Sequence, residues 1–117
     1  MATAQLLEKR FTEFAVLVCT AARSMPSDST GKTISAQLIR SGTAPAANYA
    51  EARESASAKD YVFKMRICLK ELRETMVWLR VAKGSGFRNA DYSALEAECN
   101  SLTAIVVSCM KTAKART

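Results

Sequence analysis

Basic side chains at helical spacing are the pattern in this chain with the clearest chemical use. Lys59, Arg66, Arg73 and Arg80 recur every seven residues, and Lys70 sits beside them. Seven residues are nearly two helical turns, so such side chains drift only about 20° per step and share one face. At about 1.5 Å per residue the line runs for roughly 30 Å. That arrangement suits contact with the phosphates of RNA or another nucleic acid, which is salt-dependent and carries little sequence information. The competing reading is a solvated face, partly neutralised by Glu71 and Glu74. Lys111, Lys114 and Arg116 add positive charge near the C-terminus, where a helix dipole alone accounts for them. Phe87 and Tyr92 are the candidate stacking aromatics near a loop, so the expectation is backbone-dominated binding with low sequence preference.

Catalytic options are few. The chain has no His, which removes the usual general base and the Ser–His and Cys–His nucleophile arrangements. No Gly-rich phosphate loop is present. Glu51/Glu54, Glu71/Glu74 and Glu96/Glu98 form carboxylate pairs, and Glu71 with Glu74, one turn apart, would be the pair to hold a metal. A di-metal bundle expects Glu-x-x-His motifs, which this composition cannot supply. Cys19, Cys68, Cys99 and Cys109 lack metal-ligand spacing, and Cys99 and Cys109 lie on an apolar stripe where a free thiol acts as a small hydrophobe. The expectation is a non-enzymatic protein with no cofactor and no metal.

A second polar set has a structural reading. Gln37, Arg40, Asn48, Glu51, Glu71 and Glu74 fall beside apolar stripes, where half-buried polar groups must pair. A network tying the second helix to the third is preferred over a ligand site.

These side chains need helices to hold them, and the apolar pattern provides four. The first stripe is Leu7, Phe11, Phe14, Val18, Ala21 and Met25. The third is Val62, Met65, Leu69, Leu72, Met76 and Leu79. The fourth is Tyr92, Leu95, Cys99, Leu102, Val106, Cys109 and Ala113. Alternating steps of three and four stack side chains on one face of a helix. The second seam is atypical: Ile34, Leu38, Ser41, Pro45, Asn48 and Ala52. Its small residues allow close backbone approach, and Pro45 removes one helical hydrogen bond, so a kinked helix is preferred over a loop at Gly42–Pro45. The expected elements are a helix over 3–24, a polar turn over 26–31, a helix from Gly31 or Lys32, a helix from the Ser57/Asp60 cap to Lys83, and a helix from Asn89 or Asp91. This is an all-α, antiparallel, up-and-down four-helix bundle forming a single domain over 1–117.

The chain has 117 residues, 49% apolar and 24% charged, with a net charge of +6. Those values are ordinary for a globular protein except for the charge, which means either an anionic partner or simple solubility. No apolar run is long enough for a bilayer, Glu8 and Glu13 interrupt the flank of the one signal-like segment, and free thiols suit a reducing compartment, so a cytoplasmic protein is expected. Apolar residues off the third stripe, including Phe63, Ile67, Val77, Trp78 and Val81, predict association, with Val77, Trp78 and Val81 as the interface.

The middle of the chain carries recognisable motifs. Gln37-Leu38-Ile39-Arg40-Ser41-Gly42-Thr43 and Ala47-Asn48-Tyr49-Ala50-Glu51-Ala52 resemble the signature of a bacterial four-helix-bundle family. The family is named for proteins encoded in intervening sequences of 23S ribosomal RNA genes. Ser57-Ala58-Lys59-Asp60-Tyr61, Ile67 to Thr75 and Trp78-Leu79 are similar to its third helix. The resemblance implies a cytosolic bundle assembling as a ring-like homopentamer with no assigned catalysis. A related group, the accessory proteins of diversity-generating retroelements, implies nucleic acid and a reverse transcriptase as candidate partners. By motif, Arg40, Asn48, Glu51, Glu71 and Glu74 fall on the family's recurring polar positions. Pro45-Ala46 and Tyr49 depart from its usual pattern.

Overall fold

A computed structural model describes residues 3–116. It contains four helices: α1 (Ala4–Arg23), α2 (Ser29–Arg53), α3 (Ala58–Gly84) and α4 (Tyr92–Ala115). Each starts at a side chain that accepts a hydrogen bond from an otherwise unpaired backbone N–H: Thr3 from Leu6, Asp28 from Gly31, Ser57 from Asp60 and Asp91 from Ala94. α2 therefore begins two residues before Gly31, because Asp28, inside the expected polar turn, serves as its cap. α3 ends where Gly86 takes a left-handed φ of 87°. The N–H of Gly86 reaches the Lys83 carbonyl and that of Phe87 reaches Ala82, satisfying carbonyls that the helix end would leave open.

Helices adjacent in sequence pack against each other, and a slighter contact between α1 and α4 closes the bundle. Their antiparallel order is visible in the pairs that cross the seams: Arg53 with Glu8, Lys64 with Glu51, Lys83 with Glu96, and Arg10 with Glu98. The core runs the length of the bundle through Phe11, Phe14, Val18, Leu38, Met65, Leu72, Leu79, Leu102 and Val106. Among the described residues no helix is long and apolar enough to cross a membrane.

α2 continues through Pro45 without a loop. The proline ring is buried, and its carbonyl accepts from Cys68 Sγ at 3.7 Å. One turn later the core side chain is Tyr49, not Asn48. The Tyr49 ring packs on Phe11 with centroids 5.2 Å apart, whereas Asn48 Nδ2 donates back to the Ala44 carbonyl. The larger apolar body fills the space, and the amide satisfies itself on its own helix. In α4, Met110 is buried and Cys109 only half-buried.

Two glycines permit close approach. A Cβ on Gly31 would lie 1.8 Å from the Pro26 carbonyl oxygen, and one on Gly42 would lie 2.7 Å from a methyl of buried Val18. Gly84 has no such neighbour. Gly31→Ala and Gly42→Ala are each expected to destabilise the protein by about 1–3 kcal/mol through overpacking. Gly84→Ala should be neutral or stabilise by less than about 1 kcal/mol. Chemical denaturation of the three variants measures the contrast, and equal effects at all three would contradict the close helix approach.

Candidate nucleic-acid interface

α3 is divided lengthwise into three strips, and the division follows from its neighbours. Met65, Cys68, Leu72, Thr75, Met76 and Leu79 face the core. Lys64, Glu71, Glu74 and Trp78 border α2. The remaining strip faces outward and carries Lys59, Arg66, Lys70, Arg73 and Arg80, all exposed.

The border with α2 engages Glu71 and Glu74. Arg40 Nη1 pairs with Glu71 Oε2 at 3.3 Å, and its Nη2 pairs with Glu74 Oε2. Gln37 Oε1 accepts from both Arg40 Nε and Nη2, holding the guanidinium in place from its own helix. Glu74 also accepts from Trp78 Nε1 at 3.0 Å. These contacts bring Gln37, Arg40, Glu71 and Glu74 into one cluster and add Trp78 to it. Asn48 and Glu51 stand outside it. Asn48 bonds within α2, and Glu51 accepts from Lys64 Nζ at 3.0 Å, which holds the Lys64 ammonium above its ordinary range.

With Glu71 and Glu74 turned to Arg40, none of the five outward cations has an ion-pair partner among the described residues. Their charge is available to solvent or to a polyanion. The outer strip also carries exposed apolar groups: Phe63 is 60% exposed, Val77 52% and Val81 38%. Trp78 is different, since its ring is half-buried against the core and its N–H is engaged by Glu74. Val77 and Val81 are exposed, whereas Trp78 turns toward the core and Glu74. The spacing of Phe63, four from Lys59 and three from Arg66, is the signal that places it among the cations.

Other polar sites offer little reactivity. Burial pushes the Cys68 and Cys99 thiols up to about 12, so both stay protonated and are poor nucleophiles or ligands. A cleft of about 750 Å³ lies between the α2–α3 turn and the end of α4, lined by Ser55, Tyr61, Cys109 and Thr112 among others. The Tyr61 hydroxyl is raised above its ordinary range by burial and by the neighbouring Cys109 thiol, so it stays protonated, and Arg116 is the charged group in the lining. Among the described residues, no three His, Cys, Asp or Glu side chains converge as a metal site.

Comparison with known proteins places this geometry in context. A crystal structure of a protein of unknown function from the S23 ribosomal protein family of Bacteroides thetaiotaomicron VPI-5482 is similar, with a TM-score of 0.84 and 26% identity. The similarity covers 92% of this chain and 97% of that one. No curated protein matches the chain. Residues 7–108 match the sequence profile of the 23S rRNA-intervening sequence proteins, which spans all four helices. The chain belongs to the 23S rRNA-intervening sequence protein family.

Proposed function

We propose that this is a non-enzymatic, cytoplasmic bundle that binds RNA or another nucleic acid along the outer strip of α3. The observation that supports this reading most is the row of exposed Lys59, Arg66, Lys70, Arg73 and Arg80, without ion-pair partners among the described residues, on a helix whose mid-helix acids Glu71 and Glu74 are engaged by Arg40 and whose remaining acid is Asp60 in the first turn. A rigid helix presents these cations at fixed intervals, so binding neutralises several phosphates together and releases their counterions. The contacts hold the backbone and favour no particular base.

Self-assembly is part of the same proposal. Val77 and Val81 are exposed at the C-terminal end of the strip, beside Arg73 and Arg80 and away from Lys59, Arg66 and Lys70. Leu6, Val16 and Leu17 are exposed on α1. These apolar groups support contact between copies, and five copies is the number the family resemblance suggests. Assembly repeats the basic strip and strengthens a weak site through multivalency. The same apolar groups favour a second reading, a protein–protein scaffold whose charge serves solubility.

Titration of a structured RNA at two salt concentrations separates the readings. The unmutated protein should bind at low salt and lose affinity steeply as salt rises. Arg66→Glu with Arg73→Glu should weaken binding and flatten the log–log salt slope by roughly one to two. No binding at low salt would leave the scaffold reading. Light scattering should give several times the mass of one chain, and Val77→Glu with Val81→Glu should shift it toward monomer. A monomer at micromolar concentration without mutation would remove assembly.

A further inference from the structure

We infer that Phe63 is a stacking platform for an unpaired base, making the α3 strip selective for single-stranded over double-stranded nucleic acid. The inference rests on the nucleic-acid reading above and adds the class of ligand to it. The chain has eight aromatic residues, all among those described. Phe11, Phe14, Tyr49 and Tyr92 are buried, and Tyr61, Trp78 and Phe87 are half-buried. Phe63 alone is exposed, and at 60% it is the most exposed of the large apolar side chains.

Its position matters as much as its exposure. Lys59, Phe63, Arg66 and Lys70 follow one another at steps of four, three and four, so the ring stands on the same helix face as three unpaired cations. From Lys59 to Lys70 the helix advances about 16 Å. That length accommodates two or three nucleotides of extended strand, with phosphates at the cations and a base over the ring. A flat π-face between cations is the recurring means of holding single strands, and it tolerates any base. In a duplex the bases are stacked on each other and cannot reach the ring, so only the cations contribute.

The test compares labelled oligouridine with an RNA duplex of equal length at low salt, using the full chain and confirming helicity by circular dichroism. Phe63→Ala and Phe63→Leu should each lower affinity for oligouridine by about fivefold or more and change duplex affinity by less than about twofold. Phe63→Trp should keep or raise oligouridine affinity, and in a Trp78→Phe background its fluorescence should be quenched on binding. Normal binding by Phe63→Leu would overturn the inference, because it keeps the apolar bulk and removes the ring. Equal losses on both probes would overturn it too. So would unchanged affinities with a fall in assembly mass, which would assign Phe63 to a contact between copies. Absence of binding to either probe by the unmutated protein would overturn the nucleic-acid reading itself.

Discussion

The charge layout of this protein depends on one side chain, Arg40. Its guanidinium lies between two carboxylates one turn apart on the neighbouring helix, Glu71 and Glu74, while Gln37 steadies it from below. A guanidinium is planar and permanently charged, so it can hold two acids at once where an ammonium would act as a point charge. The contact joins α2 and α3 at a fixed register. It also draws the Trp78 indole inward, since Glu74 accepts from the ring N–H. The exposed half of Arg40 keeps the energy modest, because solvent screens such pairs. Its larger effect is on where the remaining charge goes.

The same logic extends around the bundle. Glu8, Glu51, Glu96 and Glu98 pair across the other helix seams, and Asp28 and Asp91 cap helices. Most acidic side chains are thus spent on joining and starting helices, Glu13, Glu54 and Asp60 being the exceptions. Cations in excess have nowhere to go but the outward faces, and on α3 they line up. A net charge of +6 becomes a directional feature through this partition.

Much of this layout was legible in the sequence. Three of the four helix faces follow from steps of three and four, because apolar side chains that recur on one face are stabilised most by burial together. The cap at Ser57 was readable from residue type, and Asp91 was one of the two candidate starts of α4. α2 was harder. Its small residues and Pro45 weaken the periodic signal, so the choice between Asn48 and Tyr49 depended on the space left beside Phe11, which only packing reveals. The start of α2 was also missed, since Asp28 lies in a run of turn-forming residues that equally suits a loop. Exposure on α3 was the least legible. Phe63, Ile67 and Trp78 are all off the main stripe, yet the last two are half-buried and Phe63 is open. Sequence spacing gives a residue's direction on its own helix. It does not say how far a neighbouring helix reaches.

The central claim is that Arg40 holds the α3 acids to α2 as one coupled unit. A double-mutant cycle in urea, combining Arg40→Ala with Glu74→Gln, tests it most directly because it subtracts the separate effects of each truncation. Coupling near 1 kcal/mol, at the upper end for partly exposed pairs, is the result this account predicts. Losses that add to within about 0.3 kcal/mol would contradict it, and would return Arg40 and Glu74 to independent surface charges.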